Sequence, residues 1–195
     1  MSNPVPLRHD AVYHVYNRGN NGEDLFREDR NYRYFLQLYT RHVHPVAETY
    51  AYCLLRNHFH LLISVKSAHQ VPKAPSQYFA NLFNAYAKAI NNAYGRTGSL
   101  FERPFQRIEV TDEAYFAQLV TYIHVNPVRH GFVEDPADWP FSSYHALCTN
   151  RPTRLQRDVV LDWFGGPEAF LSAHDGPFAD PDLSPLADLS GFLDT

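Results

Sequence analysis

An α+β fold, an antiparallel sheet with helices laid on it, is predicted by three observations. Short segments of alternating or continuous apolar residues recur at 12–17, 49–55, 58–65 and 105–110. Between them lie longer stretches whose apolar residues repeat at helical spacing. Asn, Gly and Pro clusters separate the two kinds of pattern.

The first strand is Val12-Tyr13-His14-Val15-Tyr16-Asn17, closed by the loop signal Gly19-Asn20-Asn21-Gly22. A helix follows from about Asp29, with Tyr32, Phe35, Leu36, Tyr39 and Val43 as its apolar stripe and Pro45 beyond its end. Thr49-Tyr50-Ala51-Tyr52-Cys53-Leu54-Leu55 is a second strand. Only Arg56-Asn57 separates it from the third, His58-Phe59-His60-Leu61-Leu62-Ile63-Ser64-Val65, so the two form a tight hairpin. The stretch 66–75, with Pro72 and Pro75, reads as a loop. A long helix starts near Ser76, a plausible N-cap. It carries Phe79, Leu82, Phe83, Tyr86 and Ile90 on one stripe and stops at Gly95. Phe105-Gln106-Arg107-Ile108-Glu109-Val110 is the fourth strand. The order β-α-β-β-α-β is the split-βαβ, ferredoxin-like pattern, which hosts many functions and selects none.

Thr111-Asp112-Glu113 opens a further helix with a core stripe of Phe116, Leu119, Val120 and Ile123. Tyr122 and Asn126, four apart, fall beside that stripe. Pro127 predicts a kink or an end there. The aromatic segment Trp139-Pro140-Phe141-Ser142-Ser143-Tyr144 is expected to fold back on the domain. The expected division is a catalytic domain over 1–150 and an acidic extension over 151–195. Short helices are expected near 159–164 and 168–171, with a loosely ordered end from Pro177.

With 195 residues, 45% hydrophobic and 19% charged, the chain is an ordinary globular one. It has no apolar run of about 18 residues and no secretory signal, so neither a membrane span nor export is expected. Cys53 and Cys148 lack metal-ligand spacing and read as reduced thiols of a cytoplasmic protein. The net charge of −4 argues mildly against a nucleic-acid partner, but the distribution does not. Residues 151–195 hold three basic and eight acidic residues, whereas 66–110 hold six basic and two acidic. A basic surface on the second stretch is open beside the plainer reading of a solvated face.

Chemistry centres on His58-Phe59-His60. On a strand both imidazoles share one face and Phe59 takes the other, so the pair can hold one divalent ion. The alternative is two strand histidines with no metal. A second pair, His42 and His44, lies at a helix end, where i and i+2 diverge. His14 is open as a structural residue or a neighbour of the metal. His124 projects elsewhere and is given no role.

This HxH strand resembles the HUH motif of single-strand-specific DNA nucleases. It is closest to the single-tyrosine transposases, particularly those associated with REP elements. The resemblance is carried also by Tyr13-His14-Val15-Tyr16-Asn17-Arg18-Gly19, by Tyr94 to Phe101, by Tyr122-Ile123-His124-Val125-Asn126-Pro127-Val128 with His130-Gly131, and by Trp139 to Ser143. It spans roughly residues 10–147. It implies Tyr122 as nucleophile, His58 and His60 as metal ligands, Asn126 as a third ligand, and Mg²⁺ or Mn²⁺ as the metal. The implied substrate is single-stranded or hairpin DNA, cut through a covalent phosphotyrosine as in DNA transposition. A monomer or a homodimer is compatible with it. Phe101 and Phe105 beside Arg103 and Arg107, with Arg96, are expected to stack on and neutralise an unpaired strand. Tyr115 is the rival nucleophile, and helix capping the rival role for Asn126. A silent DNA-binding module of the same fold and an unrelated zinc hydrolase are the alternative functions.

Overall fold

The computed structural model describes residues 5–71 and 73–176. Pro72, placed by sequence in a loop, and the stretch from Pro177 onward, expected to be loosely ordered, lie outside them. The strands are β1 (Val12–Arg18), β2 (Ala47–Leu54), β3 (His58–Val65) and β4 (Gln106–Glu109). The helices are α1 (Asp29–His42), α2 (Pro75–Tyr94), α3 (Phe116–Arg129), α4 (Tyr144–Leu147), α5 (Arg157–Phe164) and α6 (Pro167–Ala173). The sheet order is β2-β3-β1-β4 with every pairing antiparallel, which is the ferredoxin-like arrangement predicted from the element order.

Strand alternation divides the sheet into two apolar faces. Tyr13, Val15, Phe59, Leu61, Ile63 and Val65 face α1 and α2, joining Phe35, Phe79, Leu82 and Tyr86 in one core cluster. Tyr16, Ala51, Cys53 and Leu62 face α3, joining Leu119, Val120 and Ile123 in a second. Both faces of β3 are therefore buried, and its histidines sit in the layer under α3.

The loop at the end of β1 shows why one glycine is needed. A Cβ on Gly19 would lie 1.9 Å from the Glu23 carbonyl oxygen. The close approach lets the Gly19 amide donate to the Asn57 carbonyl (2.7 Å) and the Asn20 amide to the Leu100 carbonyl (2.9 Å). Two loops are thereby drawn against the start of the histidine strand.

Three local expectations are corrected. Helix α2 begins one residue earlier, with Pro75 in its first turn and Ala74 rather than Ser76 as N-cap, because proline is pre-set for the first helical position. The third helix does not open at Thr111. A 3-10 turn over Glu113–Tyr115, capped by the Asp112 side chain, precedes it. Nor does it end at Asn126: it runs through Pro127 to Arg129. Proline there forfeits one intrahelical donor inside the last turn, and the burial of Val125, Asn126 and Pro127 holds the geometry.

Edge strand β2 is covered, as edge strands need to be. The Leu54 amide donates to the Phe141 carbonyl (3.0 Å), the Ser143 amide to the Tyr52 carbonyl (2.9 Å), and the Gln156 amide to the Thr49 carbonyl (2.9 Å). The Trp139 indole donates to the Leu54 carbonyl (2.9 Å) and Phe141 stacks on Tyr32. Beyond residue 150 the chain forms α5 and α6, whose Val160 and Phe170 are buried in the second core cluster. Among the described residues no helix is long and apolar enough to cross a membrane.

The burial of Phe170 makes α6 part of the folded body. Phe170→Ala is expected to lower the unfolding free energy by about 3–5 kcal/mol, the usual cost of emptying a buried aromatic site. Leu171→Ala, at an exposed neighbour, should change it by less than about 0.5 kcal/mol. Urea unfolding of the two variants compares them directly.

Candidate functional site

The register of the sheet fixes what surrounds the HxH pair. Tyr16 lies opposite His60 and His14 opposite Leu62 on β1, so these four side chains share the α3 face. Helix α3 lays Tyr122 and Asn126 on the same layer. The ring of Tyr122 stands edge-on to His60, with centroids 5.6 Å apart, and to His14 at 6.4 Å. Sequence placed Tyr122, Asn126, His58 and His60 in one site, and the fold brings these four side chains together. Tyr115, the rival nucleophile, is in the 3-10 turn before α3, outside this layer.

The hydrogen bonds set the proton positions. Nδ1 of His58 donates to Oδ1 of Asn57 (2.7 Å), because an amide oxygen can only accept. The other ring nitrogen of neutral His58 is therefore a bare lone pair. It faces Oδ1 of Asn126 at 3.4 Å. Two acceptors aimed at each other do not bond. They are spaced as neighbouring ligands of one cation, since bonds of about 2.1 Å at right angles separate donor atoms by about 3 Å. Imidazole nitrogens and an amide oxygen are both donors to divalent metal ions. The donor set thus fits a divalent metal. Its third member is an amide, and among the described residues no three His, Cys, Asp or Glu side chains are placed to hold one ion between them.

Burial governs the charges. Desolvation holds His58 down to about 4, helped by the neighbouring positive groups His130 and Arg18. It depresses His60 strongly, with His14, His58 and His130 adding to the effect. His14 falls to about 3 through burial. All three are neutral near pH 7, the state in which imidazole binds metal. Burial raises the Tyr122 phenol, opposed by a hydrogen bond from the Asn126 side chain and by the charge on Arg129, whose guanidinium lies 5.5 Å from the ring centroid. Tyr122 is only 2% exposed.

Two further neighbours flank the site: His14, which the sequence leaves open as structural or next to the metal, and His130, to which it assigns no role. His14 is fully buried with Nε2 3.0 Å from Nδ1 of His60; only the strand register reveals that facing. His130 is one turn beyond Asn126 on α3, with its ring 4.8 Å from that of His58. Its i+4 spacing from Asn126 was the available signal. His124 does face away, into the second core, bonded to Ser143 and His174.

The residues expected to contact DNA are not gathered with the metal ligands. Arg96 is committed internally: it pairs with Glu23 and donates to Oδ1 of Asn91 (2.6 Å). Phe101 is buried against Phe59, Phe83 and Tyr86 and borders the groove that Arg103 lines. Arg107 lies opposite Val15, on the other face of the sheet from the histidines, with Nε donating to the Val5 carbonyl (2.6 Å). Arg103 is exposed and lines a groove of about 650 Å³ between α2 and the loop before β4. Asn17, Asn84, Ser99 and Phe105 line the same groove.

Relatives narrow the reading. The chain is 30% identical over 142 residues to a Haemophilus influenzae (strain Rd) protein provisionally named a REP-associated tyrosine transposase, covering 64% of this chain and 71% of that one. It is 28% identical over 92 residues to a REP-associated tyrosine transposase of Escherichia coli (strain K12), covering 45% and 48%. A solved structure of a REP-associated tyrosine transposase bound to a REP hairpin superposes with a TM-score of 0.61 and 17% identity, over 75% of this chain and 84% of that one. At that identity the likeness speaks for the fold. No family model matches the chain.

The buried neutral histidines predict acid lability of the metal-free protein. A histidine with its folded pKa below the unfolded value near 6.5 contributes stability above about pH 6.5. That contribution is lost as pH falls toward about 4 for His58 and about 3 for His14. Urea midpoints measured in EDTA should therefore drop steadily from pH 7 to pH 4. A midpoint that stays level over this range would contradict the neutral cluster.

Proposed function

The chain belongs to the REP-associated tyrosine transposase family, and from that membership we propose that it is a metal-dependent endonuclease and strand transferase acting on single-stranded DNA at hairpins. The observation that carries the reading is the cluster between β3 and α3: the bare Nε2 of His58 facing the Asn126 amide oxygen, with Tyr122 edge-on to His60. In this reading His58, His60 and Asn126 hold Mg²⁺ or Mn²⁺, and Tyr122 is the nucleophile.

The bound cation supplies positive charge to the phosphate and the leaving oxygen. The chain's own groups do the rest. Asn126 is one turn from Tyr122, so the residue that fixes the third ligand also fixes where the phenol oxygen can lie. The Tyr122 oxygen attacks phosphorus. An O–P bond to tyrosine forms, one backbone P–O bond breaks, the phenol gives up its proton and the leaving oxygen gains one. The phosphotyrosine ester keeps the bond available for rejoining to another strand. Burial of Tyr122 keeps the phenol protonated in the closed arrangement. Exposed Arg103 in the groove is the best-placed phosphate contact among the DNA-binding candidates.

A labelled hairpin pool with single-stranded flanks, incubated with Mn²⁺ and run on a denaturing gel, tests the chemistry. A covalent protein–DNA band is expected. It should vanish in Tyr122→Phe and in EDTA, and persist in Tyr115→Phe. A band that survives Tyr122→Phe would move the nucleophile; hairpin binding without any band would favour a silent DNA-binding module.

Arg103→Ala should weaken hairpin binding and reduce the slope of log K against log salt by about one, the signature of one lost phosphate contact. Arg96→Ala should instead lower the melting temperature, because its partners are Glu23 and Asn91.

A further inference from the structure

The geometry points to His14 as the positioning residue that holds the proton of His60 on Nδ1 and so leaves Nε2 of His60 free for the metal. This rests on the reading of His58 and His60 as ligands. The two imidazoles lie 3.0 Å apart, Nε2 of His14 to Nδ1 of His60, and stack with centroids 5.1 Å apart at an interplanar angle of 17°. Both are essentially without solvent contact.

One hydrogen bond joins them, and it can run in only two directions. If His14 donates, the proton of neutral His60 must sit on Nε2, and that nitrogen is closed to a cation. If His60 donates, its Nε2 is a lone pair, as Nε2 of His58 already is. The second polarity gives both ligands the same exposed atom. It carries one cost. Nδ1 of His14 is buried with no hydrogen-bond partner among the described residues. When His14 accepts at Nε2, its own proton is driven to that unpartnered Nδ1. A buried N–H without an acceptor is rare and costs stability. A local cost of this kind is retained where a site needs it. Metal-bound histidines are generally held this way, the second nitrogen donating to a fixed acceptor. For His58 the acceptor is Asn57. For His60 it is His14, kept neutral by its burial, with its ring fixed by stacking on Tyr16 at 5.0 Å.

The test has a readout that does not depend on activity. Long-range ¹H–¹⁵N correlation spectra of the metal-free wild-type protein report the tautomer of each histidine. His60 protonated on Nδ1 supports the inference; His60 protonated on Nε2 overturns it. Mn²⁺ affinity of wild type, His14→Phe and His60→Ala is then measured by paramagnetic resonance of free Mn²⁺. Phenylalanine keeps the stacking ring and removes the acceptor. His14→Phe is expected to fold, to shift His60 toward the Nε2 proton, and to bind Mn²⁺ about 10- to 100-fold more weakly. A folded His14→Phe with wild-type affinity overturns the inference while His60→Ala, if it loses Mn²⁺, keeps the metal reading standing. Wild-type affinity in His60→Ala overturns both. Should His14→Phe fail to fold, the wild-type tautomer decides alone.

Discussion

Burying a polar cluster between β3 and α3 is the constraint on which the rest of the structure depends. Neutral imidazoles leave water at least cost when their N–H groups have fixed partners. A strand can offer two of them to one layer only if its other side chains anchor it. Phe59, Leu61, Ile63 and Val65 do this by filling the core under α1 and α2. The histidines then occupy a face whose shape is set by a sheet that cannot slide. A one-residue slip would exchange His58 and His60 for Phe59 and Leu61.

The helix that covers the cluster is braced from behind as firmly as from below. His174 donates from Nδ1 to the Phe170 carbonyl (2.7 Å), so its Nε2 must accept. The donor is Nδ1 of His124 (2.9 Å), which leaves Nε2 of His124 to accept from the Ser143 hydroxyl (2.7 Å). Ser143 in turn accepts from the Tyr52 amide (2.8 Å). The run has one direction throughout and crosses from β2 through α3 to the end of α6. His124 is two residues from both Tyr122 and Asn126, so the far side of α3 holds the near side in place. The segment after residue 150 thereby becomes a support for the helix that carries the nucleophile. Phe170 and Val160 supply its apolar part.

What the sequence revealed and what it hid follow from locality. Alternation in the HFH strand and the stripe of α2 are local patterns, and Gly95 adopts the left-handed φ of 62° that a helix-ending glycine suggests. The spacing of Tyr122 and Asn126 is local too. The facing of His14 is not: it depends on which residue of β3 it meets across the sheet. Arg96 and Phe101 look like nucleic-acid contacts by composition; that Arg96 pairs with Glu23 and that Phe101 packs in the first core cluster depends on residues far away in the chain. The intrinsic preference of Pro127 predicts a kink or an end; the helix does not end there, because tertiary burial holds its final turn. The short helices expected near 159–164 and 168–171 are present as α5 and α6, but the burial of Val160 and Phe170 against the second core cluster is invisible in the acidic composition of 151–195.

The closed state of the cluster also bears on how attack is triggered. Tyr122 is 2% exposed and its phenol is held above its ordinary value by burial. The Asn126 hydrogen bond and the Arg129 charge pull the other way, and the net direction is still upward. The protein's own groups therefore do not make a phenolate in this arrangement. Each unit by which the phenol must come down corresponds to about 1.4 kcal/mol. On the proposed reading, a cation held by His58, His60 and Asn126, the last of these one helical turn from Tyr122, would supply the positive charge that the chain's own groups do not.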